Sequence, residues 1–332
     1  MKKFIYKLIL FFSIPILFFV FTEGYIFSLK KDIFSDKKMD IIFSGIASNY
    51  QWVNTIEHKK ILLLGSSSVR YGLSCTLLNK LSNDSLVFVN LAMDARDPIE
   101  TYFLLTHINL TNVKAVYFGI DPWIYTKSYY KYRNSYLYLD MSLITSLKYG
   151  LEHDKSIFFK RIKSLIRYLL SSNKISQIDF NKNKQEIPAD YGSVKLEGKP
   201  TNFNDPINEY FQIDKYGWSE LQFSYLAKIS TFCISKNIEF SVFLPPKRSD
   251  YSATYKSKCN LIHNEFVTNL IKENLNCQIF GKFNQLDTIG DYNLFREAYH
   301  LNANGQAVYS AIFYEMMLNK KELFSLNYKW FN

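Results

Sequence analysis

Three serines follow a glycine at Gly65-Ser66-Ser67-Ser68, and that glycine follows four apolar residues, Ile61 to Leu64. Far along the chain, Glu297 stands three residues before His300 in Glu297-Ala-Tyr-His300-Leu-Asn. A serine hydroxyl is a poor nucleophile at neutral pH and needs a base within hydrogen-bond reach. An imidazole accepts that proton, and a carboxylate beside it holds the tautomer and steadies the imidazolium. The spacing of Glu297 and His300 lets both side chains lie on one side of a turn. The chemistry would be attack by Ser67, at the sharp part of its turn, where its backbone N–H also faces a developing oxyanion. Plain turn chemistry explains Gly-Ser-Ser-Ser equally well, and four other histidines, His58, His107, His153 and His263, are structural or exposed alternatives.

The decision rests on the elements that carry these residues. Ile61–Leu64 reads as a buried strand, and Leu73–Leu81 has helical spacing. Leu86–Asn90 and Val113–Gly119 read as the second and third strands. Between them, Asp97-Pro98-Ile99-Glu100 is a helix start, with Asp as cap, Pro at the first position and Glu completing the box. Alternation breaks over about 122–217, a stretch rich in Tyr, Lys, Asn and Ser that reads as an insertion, with one basic helical segment near 156–170. It resumes with a helix over about 218–235, a strand at Ile238–Leu244 stopped by Pro245-Pro246, a helix over about 255–273 and a short strand at Cys277–Phe280. Asn302-Ala-Asn-Gly305 opens a last helix to about Leu318. Strand–helix–strand repetition of this kind implies an α/β fold with a parallel sheet and crossover helices.

Ligands of open parallel sheets bind outside the carboxyl ends of the strands. Gly65–Ser68, Asn90–Ala95 and Gly119-Ile-Asp121-Pro122 all fall at such ends, and Glu297–His300 precedes the last helix. One pole therefore gathers a serine, a histidine and a carboxylate. Arg70 and Arg96 lie near it as candidates to hold an anionic substrate group, with surface charge as the plain alternative. Asp97 is explained as a cap and Asp121 as a turn residue before Pro122.

At 332 residues, 48% apolar and 17% aromatic, the chain has the material for one large core with an insertion, which excludes a disordered protein. The net charge of +10 suits a membrane surface or an anionic glycan as neighbour, and a Lys- and Asn-rich composition produces the same figure. No Arg-rich stripe or zinc-finger spacing points to nucleic acid. No Gly-rich phosphate motif points to a nucleotide cofactor, and no Cys or His spacing points to a metal. Cys75, Cys233, Cys259 and Cys277 read as buried free thiols, with one disulfide as the alternative outside the cytoplasm.

Met1-Lys-Lys precedes an apolar run from Leu8 to Phe21. The run also fits a signal-peptide core, but no small-x-small cleavage site follows it. The expectation is an uncleaved signal anchor over 1–29 forming a transmembrane helix, then a stalk over 30–58 and the body over 59–332. Lysines on both sides of the run leave the orientation open on charge alone.

Gly65-Ser66-Ser67 after strand one, Asn90…Ala95 after strand two, Gly119-x-Asp121 after strand three and Glu297-x-x-His300-Leu-Asn-x-x-Gly305 together resemble the SGNH hydrolase superfamily. The Gly-Ser-Ser block and amino-terminal anchor are similar to two membrane-anchored groups. One transfers D-alanyl groups to teichoic acids; the other acts in O-acetylation of bacterial exopolysaccharides. The resemblance covers about 60–120 and 218–318. It implies a three-layer α/β/α fold with a five-stranded parallel flavodoxin-like sheet. It places the nucleophile at Ser67, the base at His300 and its carboxylate at Glu297. Ala95 stands where the family has the oxyanion-hole glycine, and Ile120 where it has asparagine. Gly119 and Asp121 belong to the third block and are implied as residues of the oxyanion and substrate site. No cofactor is implied.

The resemblance also implies a body on the outer face of the bacterial cytoplasmic membrane, beside an acylated cell-surface polysaccharide and, in some systems, a membrane-bound acyltransferase partner. The expected activity is that of a serine esterase or O-acyltransferase working through an acyl-enzyme. The alternative is a non-catalytic glycan-binding or assembly subunit of the same fold, and a third reading is a lipid esterase. The aromatic residues Trp123, Tyr125, Tyr129, Tyr130, Tyr132 and Tyr136 suit either sugar binding or a core.

Overall fold

The computed structural model describes residues 50–126, 186–198, 217–248, 264–269, 277–282, 292–297 and 300–319, with single positions elsewhere. The chain divides into two compact units, Met1–Ile46 with Lys131–Lys182, and Ala47–Tyr130 with Asn183–Asn332. The second unit holds all that follows.

Its strands are β1 (Lys60–Leu64), β2 (Val87–Asn90), β3 (Val113–Gly119), β4 (Glu239–Phe243) and β5 (Gln278–Phe280). Its helices are α1 (Ser67–Arg70), α2 (Cys75–Leu81), α3 (Pro98–His107), α4 (Glu220–Ser235) and α5 (Ala303–Leu318). The strands form one sheet in the order β2-β1-β3-β4-β5, and every pairing is parallel. That is the flavodoxin-like order, in which the progression of strands across the sheet reverses between β1 and β3. The α/β class and five parallel strands agree with the sequence reading.

The inner strands β1, β3 and β4 are buried almost throughout because helices cover both faces of a parallel sheet. Ile61, Leu63, Tyr117, Phe243 and Phe280 face α2 and α5, forming a buried cluster with Leu78, Tyr309 and Phe313. The Phe313 ring lies 4.9 Å from Phe243 and 5.6 Å from both Tyr117 and Phe280, centroid to centroid. On the opposite face α3 packs against α4, where the Tyr102 and Tyr225 rings meet at 5.8 Å.

Local chemistry sets the helix starts. Asp97 accepts from the Glu100 N–H at 2.8 Å with Pro98 in the first turn, as expected of the cap. Ser74, Ser219 and Asn302 cap α2, α4 and α5. At the end of the stretch expected as a stalk, Gln51–Thr55 form a 3-10 turn with Trp52 and Val53 buried. Lys60 Nζ donates to the Val53 and Ile56 carbonyls at 3.1 and 2.9 Å, tying that turn to β1. Its last residues thus belong to the body.

Among the described residues no helix is long and apolar enough to cross a membrane. The expected anchor over 1–29 falls almost wholly outside those residues, as do the basic segment near 156–170, most of the expected helix over 255–273, and Tyr129, Tyr130, Tyr132 and Tyr136. Tyr125 is a core residue, its ring 5.0 Å from both Phe223 and Phe266. Cys75, Cys233 and Cys277 are free; burial pushes the thiols of Cys233 and Cys277 up to about 12. Cys259 lies outside the described residues.

Two outcomes test this frame. Gly65 has φ +136°, and a Cβ there would come within 2.5 Å of the Gly119 carbonyl oxygen and 2.7 Å of Val69 Cγ2. Gly65→Ala should therefore cost about 2 kcal/mol or more of unfolding free energy in urea titration. Burial, with Glu100 adding to it, raises the Asp97 carboxyl from its usual 3.8 to about 7. The folded chain then holds that proton more tightly than the unfolded one, so this contribution to stability is lost as pH rises from about 4 to about 7. Asp97→Asn keeps a good cap, and its stability relative to wild type should increase between pH 5 and pH 8.

Candidate active site

The β1–α1 turn sets out the three serines unequally. Ser66 occupies the N-cap position of α1 but makes no side-chain cap bond. Its hydroxyl goes to Asp121 Oδ2 instead. Ser68 donates to the same oxygen at 2.7 Å. Ser66 and Ser68 are 1% and 5% exposed, whereas Ser67 is half-buried. Ser66, extended ahead of the helix, and Ser68, within it, both reach Asp121, and Ser67 between them keeps partial exposure. The N–H groups of Ser67 and Ser68 open α1 and have no intrahelical partner.

Asp121 follows β3 directly and is 1% exposed. Its Oδ1 accepts from Lys247 Nζ, which is itself 5% exposed. Asp121 is thus more than the turn residue the sequence suggests: it is the buried acceptor shared by β1's turn and the loop after β4. Lys247 escapes motif reading. Its one signal is position, directly after Pro245-Pro246 beyond the carboxyl end of β4.

His300 and Glu297 are brought together as expected. Arg296 N–H donates to the His300 carbonyl at 2.8 Å, and Phe295 bridges Leu301, which brings 295–297 against 300–301 before α5. His300 Nδ1 pairs with Glu297 Oε1. That hydrogen bond holds the Glu297 carboxyl below its usual range; the positive charges of His300, Arg296 and Lys247 act the same way, and partial burial acts against them. The imidazole meets the serine turn through Tyr71, whose ring lies edge-on at 5.1 Å. Tyr71 sits one turn beyond Ser67, its N–H donating to the Ser67 carbonyl at 2.9 Å. The described hydrogen bonds do not join Ser67 Oγ to His300.

Tyr71 and Asp94 are further residues the sequence reading missed. Tyr71 OH donates to Asp94 Oδ2 at 3.0 Å. Burial, then the Asp94 carboxylate, push the phenol upward and keep it a donor. Asp94 also pairs with Arg70 at 3.4 Å, with Arg70 one-third exposed. The loop after β2 is laced to β1 by Met93 N–H donating to the Gly65 carbonyl at 3.2 Å.

The other candidates divide. Arg96 is 4% exposed; its guanidinium donates to the Leu91 carbonyl and, at 2.6 Å, to Tyr50 OH. It braces the loop from within, because a buried guanidinium must spend its donors on nearby acceptors. Ala95 has φ +59°, the left-handed region where a glycine is unstrained, so the turn accepts its Cβ at a cost of about 1 kcal/mol. Gly119 ends β3 against Gly65. Ile120 is fully buried, its N–H bonded to the Phe243 carbonyl at 2.9 Å, and offers no side-chain donor.

A cavity of about 1150 Å³ lies beside this pole, lined by Arg70, Asn90, Met93, Asp190, Lys195 and Gln306 among others. Ser67, Glu297 and His300 do not line it. No group of His, Cys, Asp and Glu able to hold a metal ion occurs among the described residues.

No protein-family profile and no curated protein matches the chain. Among solved structures it is similar to the psychrotrophic esterase EstA from Pseudoalteromonas sp., at 13% identity and a TM-score of 0.37, over 80% of this chain and 98% of that one. It is similar also to the acetyl xylan esterase AlAXEase, at 11% identity and a TM-score of 0.36, over 76% of this chain and 98% of that one. At this level of likeness neither neighbour's activity passes to the chain.

Proposed function

We propose that the chain is a serine ester hydrolase or O-acyltransferase of SGNH type, with Ser67 as nucleophile, His300 as base and Glu297 as its carboxylate. The observation that carries this reading is the partial exposure of Ser67 between two buried serines fixed on Asp121. The Glu297–His300 pair supports it. With Nδ1 on Glu297, the Ser67 proton passes to Nε2 as Oγ attacks the acyl carbonyl carbon. The tetrahedral oxyanion faces the Ser67 N–H at the start of α1, with Ala95 as the second backbone donor. Collapse expels the alcohol, which takes the proton back from His300 and leaves an acyl-enzyme. Water or a sugar hydroxyl then gives up a proton to His300 as it attacks the acyl carbon; the Ser67 ester bond breaks and Ser67 Oγ takes that proton back from His300.

The proposed substrate is an acylated cell-surface glycan. The body is proposed to stand on the outer face of the bacterial cytoplasmic membrane, held by the amino-terminal anchor and working with a membrane-bound acyltransferase. The motif resemblance and the +10 charge favour that setting. The buried Ile120, with no donor to offer, favours a second reading: a glycan-binding or assembly subunit that keeps the fold without turnover.

A fluorophosphonate probe should label the solubilised protein at Ser67, located by mass spectrometry. His300→Ala should lower turnover of an aryl acetate by about 10³-fold and Glu297→Gln by about 10²-fold, both without a change in thermal midpoint. A folded, unlabelled protein would move the assignment to the binding subunit.

Amino-terminal sequencing of membrane-derived protein should begin at or next to Met1, and protease added to intact spheroplasts should digest the body. A start between Thr22 and Tyr25 would show a cleaved signal, and full protection would place the body in the cytoplasm.

A further inference from the structure

Lys247 takes no part in the acyl chemistry set out above, yet it is buried beside it. The ammonium is 5% exposed and the Asp121 carboxylate that it meets is 1% exposed. Each ion loses its water on burial, at several kcal/mol per ion, and the pair persists only through good partners. Asp121 has three: Lys247 at Oδ1, and the Ser66 and Ser68 hydroxyls at Oδ2. The same carboxylate therefore grips the residues on both sides of Ser67. Removing the ammonium would leave a buried anion with only hydroxyls to satisfy it. The positive charge of Lys247 also bears on Glu297, the partner of His300. One cation from the loop after β4 is thus coupled to both halves of the proposed site, which belong to segments more than two hundred residues apart.

We infer that Lys247 is a positioning residue: through Asp121 it locks the Ser66–Ser68 turn in the arrangement that presents Ser67 alone to substrate. The catalytic consequence rests on the proposed role of Ser67; the lock on the turn does not. Lys247 acts on the turn through Asp121.

The test compares wild type with the neutral pair Lys247→Met plus Asp121→Asn, in which neither buried charge is stranded, and with Asp121→Asn alone as the second variant should the pair not fold. Three quantities are read on the full chain: thermal midpoint, the rate of fluorophosphonate labelling at Ser67 with kcat and KM on an aryl acetate, and hydrogen–deuterium exchange of the peptide spanning 65–72. The neutral pair should keep a thermal midpoint near that of wild type. It should label about tenfold or more slowly, by the scale of misplaced reacting groups. Its kcat should fall with KM little changed, and exchange across 65–72 should quicken. A purely structural ion pair would leave labelling and kcat unmoved once the midpoint is restored. Wild-type labelling and wild-type exchange in either folded variant would overturn the inference. If wild-type Ser67 takes no probe, the esterase reading falls on its own, and exchange decides the lock: faster exchange in the variants supports it, unchanged exchange overturns it.

Discussion

The candidate site depends on satisfying one buried carboxylate. Asp121 follows β3 into the interior, where an ionised oxygen without partners would be prohibitive. Its acceptors draw in two serines from the turn after β1 and an ammonium from the loop after β4. Three segments that share no sequence neighbourhood are thereby fixed to one another at the carboxyl end of the sheet. Ser66 and Ser68 are both committed to that carboxylate, and Ser67 between them stays partly exposed.

The sheet supplies the space for this. In the order β2-β1-β3-β4-β5 the connections leave β1 and β3 on opposite sides, so their ends open a crevice at the reversal. Gly65 and Gly119 close its floor; the approach of the Gly65 Cα to the Gly119 carbonyl leaves no room for a Cβ. Val69, from the turn just beyond, packs into the same gap, which couples core packing to the conformation of the serine turn. Large aromatic rings behind it, Phe243 and Phe313 foremost, make that floor rigid, because a close-packed interior resists small shifts.

The second half of the site is attached differently. Glu297 and His300 sit in a loop bridged at Phe295 and Leu301, and they meet the serine turn through the Tyr71 ring. Asp94 holds the Tyr71 hydroxyl and Arg70, so the loop after β2 steadies the same helix from its other side. These contacts are polar and partly exposed, unlike the buried grip on Asp121.

Local pattern determined much of this protein. Short strand-like segments between helical ones marked all five strands, and Asp97-Pro98 and Asn302 marked helix starts, because backbone preference and capping act within a few residues. The i, i+3 spacing of Glu297 and His300 foretold their contact for the same reason. Position at strand ends marked Ser67 and Asp121 but gave Asp121 only a turn. Tertiary structure alone decided the rest. It showed that Asp121 is a shared acceptor, that Lys247 completes it, that Tyr71 carries the imidazole to the serine turn, and that Arg96 turns inward to Leu91 and Tyr50 instead of facing an anion. Each of these is set by which distant group reaches a buried charge or donor first. That choice depends on the sheet's folded geometry, and nothing in the spacing of residues along the chain encodes it.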